Sequence, residues 1–521
     1  MDEKSPKKNR QNYCIVISVT KITTAEQFCH DILRSDIKRA KAFVNIIMAL
    51  GSETTAQNPT QLSESPFFQY HYSIVCKVMK DLGLQLNSTE ALHFKSGLRE
   101  ILFEYLPEQE TYKLSSDFTT VRKPESSTLA ERGFVHVPNT RIYGNQPIDI
   151  GYYVSCVNLG LYDSGHPESW SLPLDNQRVE VNADKIAIAV QQLKDLLHDI
   201  YLPFGKSDKV VNMADSGYAV PDYVCPLIEA FDNLLLIIRL RYGIKVYKPY
   251  QGKQNDKGRR KEYEDEPYYL QHQTSRRVYN PKTKTHFVKE QRPIFELPCE
   301  EEHHYETQTA RGRDLIVQLY RWNDVLLRGS KGFKMGDKPF DLVCIRFVDK
   351  QTGACLFRND MFVAVWGKNR RGHLTIEAQK DYQHRYDIEP HNRFSKQQLL
   401  MDKYQTPEVE HLDGWLWTVQ ITYWLLYAAC CETDVCVKPW EKYLPEVKRA
   451  QKSDAPKSVA MTRKGAKRLF STFGLAHFKP KESKNGKGRK ENTVLPKRQR
   501  HPPTRKNQNK QNHKQKIEQI E

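Results

Sequence analysis

The sequence predicts an α/β protein built around a mixed β-sheet, and three observations support this prediction. Strand-like and helical segments alternate from residue 112 onward, a mostly helical stretch precedes them, and a basic stretch ends the chain. The chain has 521 residues, of which 39% are hydrophobic and 11% aromatic. A chain of this length and composition is expected to bury a large core and to form several domains.

The N-terminal region has a helical pattern between residues 24 and 106, which is clearest at 25–50 and 66–82. We therefore assign residues 1–110 to a helical N-terminal domain. No helix-turn-helix signature is evident in it. Two interpretations are open for this domain: it binds DNA ends, or it is a helical scaffold.

A series of strands and one helix follows the N-terminal region. Segments 112–121, 148–159 and 169–181 are rich in Tyr, Val, Ile and Thr, and we predict each as a strand. An amphipathic helix comes next and starts near Asn182 or Asp184. The predicted apolar face of this helix consists of Ile186, Ala189, Val190, Leu193, Leu196, Leu197 and Ile200.

The next elements complete a recognisable order. A short strand at 209–214 leads to Asp215, which a Ser-Gly turn follows. Residues 218–232 are predicted as a helix, and the apolar run at 234–238 is typical of a buried parallel strand. Three strands, a helix, a strand, a helix and a strand are the order of an RNase H-like core, so we assign 111–242 to its first part.

The core pattern is then interrupted. Residues 243–340 are polar, charged and rich in Tyr and Arg, and we assign them to an insertion domain. The second part of the core is assigned to residues 341–440. Its apolar stretch 415–431 has 17 residues, including two Thr and one Gln, so we predict a buried helix there and not a membrane span.

The charge balance favours a nucleic-acid partner. Lys and Arg number 80 against 63 Asp and Glu, which gives a net charge of +17. The 11 cysteines lack C-x-x-C spacing and the first residues do not resemble a signal peptide. We therefore expect reduced thiols and a cytoplasmic protein.

Two weaker patterns are excluded as sites. The glycines around 329–336 do not have the order of a phosphate-binding Walker loop, so no nucleotide cofactor is expected. The segment 300–304 ends in adjacent His303 and His304, which lack the ligand spacing of a helix. We predict a solvated acidic loop there.

The C-terminal region, residues 441–521, is basic. Between residues 480 and 521 there are 13 Lys or Arg against 4 Asp or Glu. We predict a largely disordered arm that contacts DNA phosphates without sequence preference. A solubilising tail that does not touch DNA is the alternative.

Four polar residues near the end of the core have a regular spacing. Tyr382, Arg385, Glu389 and Lys396 stand at offsets 0, 3, 7 and 14, which place them within an arc of roughly 60° on one helix. Pro390 directly follows the glutamate, so the helix is expected to kink or to start afresh there.

This spacing resembles the Y-(2)-R-(3)-E-(6)-K signature of DDE transposases of insertion-sequence family four. The sequence around Asp117, Ser-Ser-Asp-Phe-Thr-Thr-Val, resembles the first-aspartate block of these enzymes, and Ala-Asp215-Ser-Gly-Tyr resembles the second. The resemblance implies that Asp117, Asp215 and Glu389 are catalytic and bind two Mg²⁺ ions, for which Mn²⁺ can substitute.

The resemblance also implies DNA contacts. Tyr382, Arg385 and Lys396 are expected to hold backbone phosphates near the cut. The family carries a largely β insertion between the second aspartate and the glutamate, so we expect a β-rich insertion here. Trp322 or Trp366 is a candidate to stack on a flipped base, with a buried structural tryptophan as the alternative for each.

The implied function is DNA cleavage at transposon ends followed by strand transfer. The expected partners are double-stranded DNA, as transposon ends and as target, and a second copy of the chain in a synaptic complex. Such an enzyme is expected in the bacterial cytoplasm, on the nucleoid when it binds DNA. The alternatives are an RNase H-like nuclease without strand transfer and a descendant that binds DNA without cutting it.

Overall fold

The computed structural model has a mixed α/β fold, as the sequence predicts. It describes residues 22–53, 55–137, 147–161, 170–254, 260–280, 285–309, 312–434, 436, 439–444, 447–448, 457–475, 494 and 497–505. Most of the predicted basic arm at 480–521 therefore lies outside the described residues, as does 138–146.

The strands are numbered in chain order. The first seven are β1 (Thr111–Arg122), β2 (Gly133–His136), β3 (Ile148–Gly160), β4 (Ser171–Val179), β5 (Lys209–Ala214), β6 (Leu234–Arg239) and β7 (Lys245–Val246). The others are β8 (Tyr268–Tyr269), β9 (Ser275–Asn280), β10 (Thr285–Glu290), β11 (Arg292–Pro293), β12 (Glu301–Gln308), β13 (Asp314–Val325), β14 (Phe340–Asp349) and β15 (Met361–Trp366).

The α-helices are numbered in the same way. They are α1 (Thr24–Arg34), α2 (Ala40–Ser52), α3 (Ser73–Leu86), α4 (Ala91–Phe103), α5 (Lys185–Leu197), α6 (Pro221–Ile228), α7 (Thr375–His384), α8 (Ile388–Gln397), α9 (Val409–Ala428) and α10 (Val459–Ser471).

The central feature is a ten-stranded sheet with the order β12-β13-β14-β15-β6-β5-β1-β3-β2, in which β4 also pairs with β3. β1 is parallel to β5, and β5 is parallel to β6. β3 is antiparallel to β1, and β15 is antiparallel to β6. Apolar side chains on the parallel strands are fully buried, which explains their continuous hydrophobic sequence.

The predicted strands of the first core segment lie within two residues of the observed ones. α5 begins after Asp184, whose carboxylate accepts hydrogen bonds from the next turn. Ile200 lies beyond the end of α5 and is exposed, so its assignment to the apolar face was wrong. α6 is shorter than the predicted helix because Pro221 fits only the first turn of a helix.

The helical pattern of the N-terminal region is confirmed, with two changes. The helix predicted at 66–82 begins only at Ser73, as α3. The predicted helix at 25–50 is divided into α1 and α2, and Arg39 between them has a left-handed φ of 62°. These helices and α3 pack around α9, and all of them share one hydrophobic core with the sheet. The N-terminal region therefore has no separate core among the described residues.

α9 is the predicted buried helix, and nearly all of its residues are buried. Gly83 of α3 and Gly414 of α9 allow the two helices to touch through their backbones. A Cβ on Gly83 would lie 1.8 Å from the Glu410 carbonyl oxygen, and one on Gly414 would lie 2.1 Å from that of Met79. In the described part of the chain, no helix is both long enough and apolar enough to span a membrane.

The insertion is rich in strands, but only part of it stands apart from the main sheet. β7, β8 and β11 form a three-stranded sheet, and β9 and β10 form a hairpin. β12 and β13 extend the main sheet by pairing with each other and with β14. The predicted boundary at residue 340 therefore falls inside the sheet.

Two predictions of irregular structure were wrong. The segment 300–304 is mostly part of β12, a polar edge strand with partly exposed side chains on both faces, so no apolar alternation reveals it. The predicted tail contains α10, which buries Ala466 and Phe470 against α2 and α9. Residues 497–505 lie beside β2 through a bridge between Gly133 and Thr504.

Candidate active site

Asp117 and Asp215 lie side by side at one edge of the sheet. The parallel register of β1 and β5 ends with Ser116 opposite Ala214, and an aspartate follows each of these residues. The Asp215 carboxylate accepts a hydrogen bond of 2.7 Å from the Gly217 N–H. The structure thus brings these two predicted site residues together where the parallel pairing ends, at the carboxyl end of β5 and within β1.

The four residues of the spaced motif do not lie on one continuous helix. α7 ends at His384, a single 3₁₀ turn covers Arg385–Asp387, and α8 starts at Ile388. Pro390 occupies the first turn of α8, where its missing N–H breaks no helical hydrogen bond. The expected fresh start of the helix is confirmed. Tyr382 precedes the break, and Glu389 and Lys396 follow it.

Arg385 is a buried cation at the centre of the site. Its side chain is 6% exposed, and its Nη2 donates to the Glu389 Oε1 at 3.0 Å. The guanidinium lies over the Tyr386 ring, with 4.3 Å between Cζ and the ring centroid. Burial lowers the pKa of Arg385, but Tyr382, Asp117, Tyr386 and Glu389 together outweigh it and hold the pKa above the ordinary value.

Asp117 carries the clearest electrostatic signal in the site. Burial is the largest cause that raises its pKa, to about 6, and the charges of Asp215 and Glu389 raise it further. Arg385 and the Phe118 N–H act in the opposite direction. The charges of Asp215 and Glu389 therefore disfavour ionisation of Asp117, and Arg385 offsets part of this effect.

The carboxylates of Asp117, Asp215 and Glu389 are chemically suited to a hard divalent cation, but they are not arranged around a common point. Carboxylate oxygens are the ligands that Mg²⁺ and Mn²⁺ prefer. In the described residues, however, no group of three or more His, Cys, Asp or Glu side chains is arranged to hold a metal ion. Glu389 is 53% exposed and bonded to Arg385, so it would have to leave that partner to join the two aspartates.

Three aromatic residues proposed for DNA contact are buried. Tyr382 is 0% exposed, and its hydroxyl has no hydrogen-bond partner among the described residues. Trp322 is 1% exposed and donates its indole N–H to the Leu297 carbonyl at 3.1 Å. Trp366 is fully buried against Phe340. These positions agree with structural tryptophans, and Tyr382 does not reach the surface to touch a phosphate.

Lys396 is half-buried on α8. Burial is the main cause that lowers its pKa, while Asp402 and Asp117 oppose this effect. The ammonium group therefore lies within electrostatic range of Asp117, on the part of α8 that follows Glu389.

Two features near the site were missed in the sequence. Arg239 is the exposed last residue of β6, the third parallel strand to end at this edge, and it interacts electrostatically with Tyr382. Tyr218 stacks on Phe118 with ring centroids 5.3 Å apart; Phe118 directly follows Asp117, and Tyr218 stands three residues after Asp215. The end of a predicted parallel strand was a usable signal for Arg239.

Comparison with known proteins gives little further information. No protein-family model matches the chain. No curated protein sequence matches it either. One solved structure with some likeness is that of a piggyBac transposase synaptic complex with hairpin DNA, with a TM-score of 0.32 and 9% identity over 90% of this chain and 78% of that chain. A TM-score of this size does not establish a common fold.

Proposed function

We propose that the chain is a DDE transposase, which cleaves DNA at transposon ends and joins them to target DNA. The observation that carries the proposal is the pair Asp117 and Asp215 directly after the parallel pairing of β1 and β5 ends, with the Arg385–Glu389 pair in electrostatic range of Asp117. The spaced motif that resembles insertion-sequence family four supplies the specific class.

The strand order supports an RNase H-like core. β4, β3, β1, β5 and β6 are neighbours in that order, with an antiparallel meander on one side and parallel strands on the other. α5 connects β4 to β5, and α6 connects β5 to β6. This arrangement matches the element order expected from the sequence, in which the carboxylates stand on the first and fourth core strands.

Asp117, Asp215 and Glu389 would hold the divalent ions in this proposal. Two such ions supply activation of a water or 3′-hydroxyl nucleophile and stabilisation of the leaving oxygen. The raised pKa of Asp117 near 6 leaves its carboxyl group mostly ionised at pH 7 and above, so it can act as a ligand there.

Arg385 has two roles in this proposal. It holds Glu389 and offsets the repulsion among the carboxylates while no metal is bound. If Glu389 served as a metal ligand, the Arg385 guanidinium would lose this partner and could bind a DNA phosphate with two parallel hydrogen bonds. Tyr382 then acts as a buried support under Arg385 and not as a direct phosphate contact.

The partners follow from charge and from the resemblance. The net charge of +17 favours a DNA duplex as the partner. Paired transposon ends and a homodimer are part of the proposal because enzymes of the resembling family work in this way. The second candidate, a nuclease without strand transfer, would use the same three carboxylates.

The proposal is tested with DNA that carries both flanks of the gene, incubated with the full chain and Mg²⁺ or Mn²⁺. Asp117→Asn, Asp215→Asn and Glu389→Gln should each lower cleavage at least 100-fold and leave DNA binding within a few fold. Asp232→Asn, an exposed carboxylate on another part of the surface, is the control.

Three results can be told apart. Cleavage followed by joined products supports the transposase, and cleavage without joining supports the nuclease. No cleavage by the parent chain, with intact binding, supports the silent DNA-binding descendant. Full cutting by any of the three variants contradicts the assignment of that carboxylate.

A further inference from the structure

Residues 497–505 are attached to the outer edge of the main sheet. Thr504 bridges Gly133 of β2 in parallel, and the Thr504 N–H donates to the Arg132 carbonyl at 2.7 Å. The His501 N–H donates to the Ser127 carbonyl at 2.8 Å. This docked segment is therefore held beside β2 by one isolated β-bridge and by backbone hydrogen bonds.

The buried side chain of Arg132 holds the docked segment by a hydrogen bond. Arg132 is 3% exposed, and its Nη2 donates to the His501 carbonyl at 2.9 Å. Its Nη1 donates to the carbonyls of Lys123 and Pro124 at 3.0 and 3.1 Å. One guanidinium thus joins the docked segment to the loop that directly follows β1.

The docked segment presents cations to solvent. Its sequence is Lys-Arg-Gln-Arg-His-Pro-Pro-Thr-Arg, with no acidic residue. Lys497, Arg498, Arg500 and Arg505 are all exposed. Four exposed positive charges with no acidic residue in the segment form a basic patch that attracts polyanions.

The register of the sheet gives the distance from the docked segment to the aspartates. Thr504 neighbours Gly133, which pairs with Gly151, which pairs with Arg122 of β1. Three strand spacings and the rise of five residues from Asp117 to Arg122 correspond to about 22 Å. Along a DNA duplex this distance is about six base pairs.

We infer that the docked segment is a fixed binding surface for the phosphates of duplex DNA, about six base pairs from the phosphate held at Asp117 and Asp215. The position relative to the cut rests on the proposed function, but DNA binding by the segment does not. The segment differs from a freely moving basic arm because its contacts fall at a defined place on the duplex.

The test compares two variants that lose equal charge. The first replaces Lys497, Arg498, Arg500 and Arg505 by Gln, and the control replaces Lys506, Lys510, Lys514 and Lys516 by Gln. Binding of the full chain to duplex end DNA is measured without divalent metal between 50 and 200 mM salt. Phosphate contacts are mapped by ethylation interference on the same DNA.

In the first variant, the slope of log K against log salt should be smaller in magnitude by about 3.6 if all four phosphate contacts are lost. Between 50 and 200 mM salt, the affinity of the parent should therefore fall by a factor about 150 times larger than the factor for this variant. It should also lose interference at phosphates about six base pairs from the mapped cut. The control should keep that local interference pattern.

Thr504→Pro tests the docking itself. It removes the N–H that bonds to Arg132 without changing charge, so the local interference should weaken while the salt dependence stays near that of the parent. A parental slope and pattern in the four-fold variant would overturn the inference. If the parent binds DNA but does not cut it, the slope of the salt dependence still tests whether the docked segment contacts phosphates. The distance from the cut then cannot be mapped, because there is no cut.

Discussion

At the scale of residues, the ion pair of Arg385 and Glu389 sets the arrangement of the candidate site in the metal-free protein. Their ion pair, at a spacing of four residues, spans the 3₁₀ turn and the start of α8. The sequence motif predicts both residues, but it treats them as separate ligands of DNA and metal. Their contact is the one that a spacing of four residues produces on a helix, and it is kept although a 3₁₀ turn and a fresh helix start lie between the two residues.

The ionised carboxylate of Asp117 is expected to destabilise the metal-free protein. Its pKa near 6 is above the value of an unfolded chain, so ionisation favours unfolding. Asp117→Asn should therefore raise the free energy of unfolding by about 1–3 kcal/mol at pH 8 with a chelator present.

The difference in the free energy of unfolding between Asp117→Asn and the parent should depend on pH in one direction only. The gain should be absent below about pH 3, where Asp117 is protonated in both states, and should grow to its full size as pH rises through 6. Denaturant unfolding at several pH values measures it, with the exposed Asp232→Asn as control. A variant less stable than the parent at pH 8 would contradict the burial argument.

Arg385 should set the titration of its neighbour. It is the main group that lowers the pKa of Asp117, so Arg385→Gln should move that pKa above 6. Carboxyl-carbon NMR of the metal-free protein measures the shift. Arg393→Gln changes an exposed arginine on α8, the helix that carries Glu389, and should leave the titration unchanged.

At the scale of elements, the contact between α3 and α9 depends on two glycines. Gly414→Ala places a methyl group against the Met79 carbonyl oxygen of the facing helix, which neither backbone can relieve by a rotamer change. We expect a loss of several kcal/mol or a failure to fold.

Gly97 in α4 is the matched control for this substitution. No atom lies within 4 Å of a Cβ built there, so Gly97→Ala should stabilise the protein by about 0.5–1 kcal/mol through helix propensity. Thermal unfolding of both variants tests the pair. Equal stability of the two would show that α3 and α9 have room to separate.

Elements with a strong pattern are predictable from this sequence, and weakly patterned ones are not. The apolar run of β6 and the buried helix α9 are both found, because burial on all sides leaves few polar residues. β12 is missed because neither of its faces is buried, and α10 because its four basic residues lie in a stretch of the chain that is basic as a whole. Tertiary contacts, and not local propensity, determine these two elements.

The site shows the same division. The predicted strands place Asp215 at a strand end and Asp117 inside a strand, and only the observed register, Ser116 opposite Ala214, places the two aspartates side by side. Burial of Tyr382 and Trp322 does not follow from the sequence, since an aromatic residue fits an exposed stacking surface and a core equally well.

For the whole molecule, the C-terminal region contributes to the core. Phe470 is fully buried and packs edge-on against Phe67, with ring centroids 6.3 Å apart. Phe470→Ala should lower the free energy of unfolding by about 3–5 kcal/mol. Chemical denaturation measures this, and Val494→Ala, at a site that is 89% exposed, should have no effect. A neutral Phe470→Ala would mean that α10 is dispensable.

The position of α9 also has a consequence for synthesis of the chain. The hydrogen bond between Thr418 of α9 and Met79 of α3 joins residues 339 positions apart. At about 5–20 residues per second, a ribosome takes roughly 15–70 s to make the chain between them. During that time the apolar faces of α1, α2 and α3 lack the helix that covers them. A nascent chain halted before residue 409 should therefore bind chaperones and resist folding, whereas release of the full chain should bury these faces together.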